Sequence, residues 1–190
     1  MNRSILILYF INFLLIAILP RIFFKKEGKL NLKWWLTALP VIACLLVLFL
    51  SYVGLISPVI TYAGNVERIS EFVVIIISVM SIGIIFLTLG THKIPIALWH
   101  QENDAPQSIV TYGAYKYIRH PFYASFLLAF LGVCIVCPHV ATIFFAVYEF
   151  IALNLTAERE EQRLSASAFG KEYKQYIERT GRFIPRFGVK

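Results

Sequence analysis

The chain has 190 residues, of which 58% are hydrophobic and only 15% charged, with a mean hydropathy of +0.70. A soluble domain carries about 25% charged residues, so these figures exclude an ordinary water-soluble fold and point to one all-α integral membrane domain. The net charge of +7 does not call for nucleic acid, because the cations stand in loops beside apolar spans, where anionic lipid and topology account for them.

Five transmembrane helices are expected. The first covers about residues 4–24; no small-residue cleavage site follows its apolar run from Ile5 to Leu19, so it reads as a retained span rather than a signal peptide. The loop behind it carries Lys25, Lys26, Lys29 and Lys33, with Arg21 just before. The second span, about 35–57, opens on Trp34 and Trp35 at headgroup level. Pro40 is read as lying in its first turns, where few amides are lost. A short loop at 58–71 sets Arg68 against Glu67 and Glu71, and the third span follows at about 72–89. A polar connection holding Trp99, His100, Gln101, Glu102, Asn103, Asp104 and Pro106 leads to the fourth span, about 122–136. Cys137-Pro138-His139 marks the turn into the fifth, about 140–155. These last two are short against the roughly 20 helical residues that a hydrocarbon core takes, and are expected to form a tight hairpin. Beyond Leu155 a charged continuation of helix five runs to a break at Gly170, read as a C′ glycine. Residues 171–179 form an amphipathic helix with Tyr173 and Tyr176 on one face.

Lys and Arg concentrate in the loop after span one, between Thr91 and Pro121, and in the tail. The positive-inside rule makes those three segments cytoplasmic and puts the N-terminus outside.

Three features bear chemistry. Arg119, His120 and Pro121 stand at the mouth of an apolar helix among Tyr112, Tyr115, Tyr117 and Tyr123. The plain structural alternatives are that Arg119 snorkels to headgroups and His120 caps the helix. Glu158, Glu160 and Glu161 are acids on the basic side of the membrane. Such a run is ordinarily a solvated face, unless something positive needs them; of the adjacent Glu160 and Glu161 at most one is expected to point inward. Glu149 is an ionisable group inside a span, which marks a cavity, a paired structural acid or a group close enough to the interface to be wet, and lies on the same helical face as Glu160. Cys44, Cys134 and Cys137 lack a second cysteine pair to complete a metal site and read as small buried residues. His92 and His100 have nothing nearby to complete a site, and no metal constellation is expected.

The stretch Ile109-Val110-Thr111-Tyr112-Gly113-Ala114-Tyr115-Lys116-Tyr117-Ile118-Arg119-His120-Pro121-Phe122-Tyr123 resembles the signature of the isoprenylcysteine carboxyl methyltransferase and phospholipid N-methyltransferase superfamily. The tail resembles its second motif, through Glu160-Glu161-Gln162-Arg163-Leu164, then Phe169-Gly170-Lys171-Glu172-Tyr173-Lys174-Gln175-Tyr176, then Arg182-Phe183-Ile184-Pro185. The resemblance covers roughly the C-terminal half; the first three spans match only in being hydrophobic. One departure is Ser125, where many members have glycine.

The resemblance implies a single domain over 1–190, with N-terminal spans in 1–90 and a cofactor-binding core in 107–186. It implies S-adenosyl-L-methionine as methyl donor, held at the cytosolic ends of the last spans under a C-terminal amphipathic lid. Tyr117, Arg119, His120, Pro121, Tyr123, Glu160, Glu161, Tyr173 and Tyr176 would then line the cofactor site, with Glu161 the preferred contact. Arg182 or Arg179 is expected to aim a carboxylate acceptor, and Glu149 to line the catalytic cavity. The chemistry agrees: the cofactor's ammonium wants an acid, its carboxylate an Arg or His donor, and its adenine and sulfonium aromatic walls. The expected partner is a lipophilic substrate arriving laterally from the bilayer, an isoprenylcysteine carboxylate first, with an aminophospholipid or a lipidic phenol also compatible. Two rivals stand beside this: an NADPH-dependent membrane reductase of the sterol type, and a lipid-binding membrane protein without catalysis.

Overall fold

The computed structural model describes residues 2–18, 29–91 and 109–186. The predicted loop residues Arg21, Lys25 and Lys26, the side chains of Lys33 and Trp34, and the connection with His92, Trp99, His100 and residues 101–106 lie outside the described part. Among the described residues six α-helices follow in order: α1 (Arg3–Ile18), α2 (Leu32–Tyr52), α3 (Gly64–Thr91), α4 (Pro121–Val136), α5 (Val140–Ser165) and α6 (Gly170–Arg179), with a 3-10 turn at Gly113–Lys116. Three of them, α2, α3 and α5, are long and apolar enough to cross a membrane, and α1 and α4 are shorter apolar helices. The protein is an all-helical membrane protein. Its outer faces carry Phe10, Leu46, Phe72, Phe86 and Phe144 into the surroundings, as lipid-facing helices do. Its core is built from Tyr9 and Phe13 of α1, Cys44 and Leu48 of α2, Val74 and Ile85 of α3, Phe126 and Phe130 of α4 and Leu153 of α5.

Hydrocarbon gives no water to buried polar groups, so they must find partners inside the bundle. Where α1, α3 and α4 meet, Asn12 donates through Nδ2 to Ser78 Oγ at 3.1 Å and accepts through Oδ1 from Ser81 Oγ at 3.1 Å. The Ser81 hydroxyl also lies 2.8 Å from the Ser125 carbonyl oxygen. All four residues are fully buried, and their small side chains let the helix backbones approach, as membrane interfaces require. Ser125 itself donates to the Phe122 carbonyl, so a residue as small as serine fits where the family resemblance suggested glycine.

The turn between α4 and α5 is fixed locally. His139 is the N-cap of α5: its Nδ1 accepts from the Ala141 amide, and the Thr142 hydroxyl accepts from the His139 amide, a reciprocal cap that satisfies otherwise orphaned donors.

Several expectations need correction. Pro40 lies in the interior of α2, not in its first turns. Proline cannot donate to the carbonyl four residues back, and the Tyr148 hydroxyl of α5 donates to that Leu36 oxygen instead, at 3.3 Å. The third helix starts at Gly64, so most of the expected loop at 58–71 is helix. The fifth helix is continuous for 26 residues, about 39 Å at 1.5 Å per residue, so it is not a short span. Gly170 does not end it. The C-cap is Ala166, and Gly170 opens α6. A Cβ there would stand 2.2 Å from the Ser165 carbonyl oxygen, so glycine is needed for close approach between the two helices.

Candidate active site

The tail of the chain is laid along the entrance of α4. His120 is the N-cap of that helix and Pro121 its first residue, where a missing amide costs nothing and the fixed φ suits the helix. Just before it, the Arg119 amide donates to the Gly181 carbonyl at 2.8 Å and the His120 amide to the Arg182 carbonyl at 3.1 Å. The Gly181 amide returns a bond to the Tyr117 carbonyl at 3.3 Å. This short parallel pairing ties two segments that are about sixty residues apart. Gly181 has no room for a side chain, since a Cβ would lie 1.7 Å from the Ile184 carbonyl oxygen. The Tyr176 hydroxyl reinforces the junction by donating to the Tyr115 carbonyl.

Six charged or titratable side chains interlock beneath that pairing. Glu161 Oε1 accepts from Arg119 Nε at 2.9 Å and Arg182 Nε at 3.1 Å, and Oε2 accepts from Arg182 Nη2 at 2.7 Å. His120 Nε2 lies 3.2 Å from Glu161 Oε1, and its Nδ1 lies 3.3 Å from Glu160 Oε2. Glu160 Oε1 accepts from the Tyr123 hydroxyl at 2.7 Å. Glu160 and Glu161 are 6% and 8% exposed, so both point inward, against the expectation that only one would. Adjacent helical residues diverge by 100°, and the His120 ring occupies the fork between them with one nitrogen facing each acid.

Burial opposes a charge on His120, but hydrogen bonds and attraction from Glu160 and Glu161 outweigh it and hold its pKa above the usual 6.5. The ring stacks on Tyr123, centroids 5.3 Å apart, and meets the edge of Phe183 at 6.2 Å. Arg119 also holds the end of α6. Its Nη1 donates to the carbonyls of Ile177 and Thr180, the last turn and cap of that helix, where a cation also suits the helix dipole. Arg182 is held in place by Glu161, which raises its pKa further.

Of the residues expected in the site, Arg119, His120, Pro121, Tyr123, Glu160, Glu161 and Arg182 come together. Tyr173 and Tyr176 lie on the buried face of α6 with rings 5.8 Å apart. Burial raises both phenols above their usual pKa, and Tyr115 beside them, with help from Glu160, is pushed up to about 12; all three remain neutral. Tyr117 is 59% exposed, its ring covered by the Lys116 ammonium at 5.7 Å, and only its backbone joins the site. Arg179 lies over the Tyr176 ring at 5.7 Å, outside the cluster. Glu149 is fully buried in α5, and neither carboxyl oxygen has a hydrogen-bond partner among the described residues. It lies about 16 Å along the helix from Glu160 and does not reach the cluster. Among the described residues, no group of three or more His, Cys, Asp or Glu side chains could hold a metal ion. Sequence reasoning missed Asn154, whose Oδ1 accepts from Arg182 Nη1 at 2.7 Å. An amide seven residues before Glu161, two turns away on the same face, was the available signal.

The chain is similar to known proteins. The model of the phospholipid methyltransferase family matches residues 67–172, more than half of the chain and inclusive of α4 and both acids. The chain is 30% identical over 138 residues to a probable protein-S-isoprenylcysteine O-methyltransferase of Oryza sativa subsp. japonica, covering 72% of this chain and 62% of that one. It is 31% identical over 112 residues to the cobalt-zinc-cadmium resistance protein CzcN of Cupriavidus metallidurans, covering 55% and 51%. It is 31% identical over 104 residues to methanethiol S-methyltransferase 1 of Bradyrhizobium diazoefficiens, covering 53% and 34%. The chain thus spans between a third and two thirds of the length of these relatives. Its two motifs, the interlocked site they form and the extent of the family match make the chain a member of the phospholipid methyltransferase family.

Proposed function

We propose that this protein is a membrane methyltransferase that uses S-adenosyl-L-methionine to methylate a lipophilic, membrane-resident acceptor, an isoprenylcysteine carboxylate or a related group. The observation that carries the proposal is the buried Glu161 carboxylate held between Arg119, Arg182 and His120. An acid and a guanidinium in direct contact form a ready partner for a zwitterion. Inserting an α-amino acid between Glu161 and Arg182 turns one ion pair into two, with the ligand's ammonium on Glu161 and its carboxylate on Arg182. The donor set therefore fits the amino-acid end of this cofactor. Because Arg182 is paired with Glu161, we assign it to the cofactor's carboxylate and leave an acceptor's carboxylate to Arg179.

When bound, the cofactor supplies an electrophilic methyl group on a cationic sulfonium. The chain's own residues bind it, hold the site in register and exclude water. Tyr123, Tyr173 and Tyr176 offer aromatic walls that suit a cation or an adenine ring. His120 lies between Glu160 and Glu161, which hold its pKa above the usual 6.5, and it keeps the two acids in place. The pairing of residues 117–120 with 181–182 holds the tail down as a lid and excludes water, so that alignment supplies most of the acceleration. A carboxylate acceptor needs no base at neutral pH, which matches a site whose titratable groups are all engaged with one another. By the positive-inside rule we propose that this site faces the cytoplasm, with the N-terminus outside, and that 1–190 acts as one domain whose core is 107–186.

Methyl transfer itself tests the proposal. Membranes containing the protein are given S-adenosylmethionine labelled in the methyl group, and label is followed into organic-extractable lipid and lipidated peptide. Label above that of membranes with Glu161→Ala protein is expected. Oxidation of NADPH in place of methyl transfer would move the protein to the sterol reductase type.

A further inference from the structure

Arg182 is the side chain on which the proposed amino-acid subsite turns, and it comes from an irregular segment after α6, where backbone geometry alone gives little precision. Its position is set from α5. Glu161 takes Nε at 3.1 Å and Nη2 at 2.7 Å, and Asn154 takes Nη1 at 2.7 Å. A guanidinium is planar with five N–H donors. Contacts to three of its nitrogens from one rigid helix fix its plane as well as its location, and two donors are left for a ligand. The side chain is 28% exposed, so it stands at the rim, where incoming carboxylates meet it.

Glu161 Oε1 is crowded by Arg119, Arg182 and His120, whereas Oε2 accepts from Arg182 Nη2 alone, so a carboxylate's remaining acceptor site lies on Oε2. An ammonium bound there shares that oxygen with Arg182 and loosens the contact. Asn154 is uncharged, so it does not compete for the ammonium as an acid would, and its bond to Nη1 survives the exchange. We propose that Asn154 is a positioning residue for the amino-acid end of the cofactor, acting through Arg182. It holds the guanidinium in line with the bound carboxylate while Glu161 turns to the ammonium. The inference rests on the methyltransferase reading and deepens it.

Two ligands separate this role from a merely structural one. S-adenosylhomocysteine has the amino-acid end, whereas 5′-methylthioadenosine carries the same nucleoside and sulfur without it. Their binding to the detergent-purified full chain is measured calorimetrically for the wild type, Asn154→Ala, Asn154→Asp and Arg182→Ala. Asn154→Ala is expected to weaken S-adenosylhomocysteine about tenfold to a hundredfold, the range for losing a hydrogen bond to a charged group, and to leave 5′-methylthioadenosine unchanged. Asn154→Asp keeps an acceptor oxygen for Nη1 but adds an acid that competes for the ammonium, so it should regain only part of the lost affinity. In the Arg182→Ala background, Asn154→Ala should have no further effect. Equal loss for both ligands, or undiminished S-adenosylhomocysteine binding in Asn154→Ala, overturns the positioning role alone. A wild-type protein that binds neither ligand overturns the methyltransferase reading and this inference together.

Discussion

Replacing Glu161 by alanine should open the tail without unfolding the helices. The carboxylate joins α5 to Arg119 at the mouth of α4 and to Arg182 in the tail. Removing one partner of a buried ion pair costs about 3–5 kcal/mol, because the other charge is left uncompensated. Arg119 is 9% exposed and meets that condition, whereas Arg182, at 28%, is partly relieved by solvent, so the lower end applies, about 3 kcal/mol. At 1.4 kcal/mol per factor of ten, opening of the tail becomes roughly a hundredfold more frequent. The amides of Arg119, His120 and Gly181, which bond across the junction, report it directly by hydrogen exchange. They should exchange about a hundred times faster in Glu161→Ala, while amides inside α3 keep their protection. Glu158→Ala is the control, since Glu158 is exposed on the same helix and its removal should leave the junction amides unchanged. If junction exchange in Glu161→Ala matched the wild type, Glu161 would not be what holds the tail, and the role given to the cluster would be wrong.

Two other outcomes follow from particular contacts. His120 has a folded pKa raised above 6.5, so its contribution to stability is full below about pH 6.5 and is lost as the pH rises through the raised value. Thermal unfolding in detergent should therefore move to lower temperature on the alkaline side, and His120→Gln should flatten that dependence; an unchanged slope in the variant would assign it to another group. Tyr148→Phe leaves the Leu36 carbonyl without the donor that Pro40 cannot supply and should cost about 1 kcal/mol. In a Pro40→Ala background, where the backbone amide returns, the same change should cost nothing, and equal costs in both would refute the compensation.

The helices and the two motifs were legible in the sequence for a simple reason. Apolar runs of this length have one use, and charged side chains beside them stand out. The contact between Arg119 and Glu161 could be expected from their charges. The parallel pairing of 117–120 with 181–182 could not, because it is a backbone interaction with no side-chain pattern. Pro40 was misplaced because the position of a proline within a helix depends on where the helix starts, and Leu32–Lys33–Trp34 extend α2 ahead of the apolar run. Gly170 carried the ordinary mark of a helix end, but its need is close approach to the Ser165 carbonyl, which only the tertiary structure reveals. Both acids point inward because the His120 ring fits between them, a geometry that the divergence of adjacent helical residues does not suggest. Glu149 was conspicuous in the sequence, and the structure sets it deep in α5, apart from the cluster.

The central claim is that the Glu161 cluster receives the amino-acid end of S-adenosylmethionine. Calorimetric titration of the purified protein with S-adenosylhomocysteine, and separately with NADPH, addresses it most directly, with Glu161→Ala beside the wild type. Saturable binding of S-adenosylhomocysteine that is lost in the variant, and none of NADPH, is the predicted result. Binding of NADPH instead, or full retention of S-adenosylhomocysteine affinity without Glu161, would contradict it.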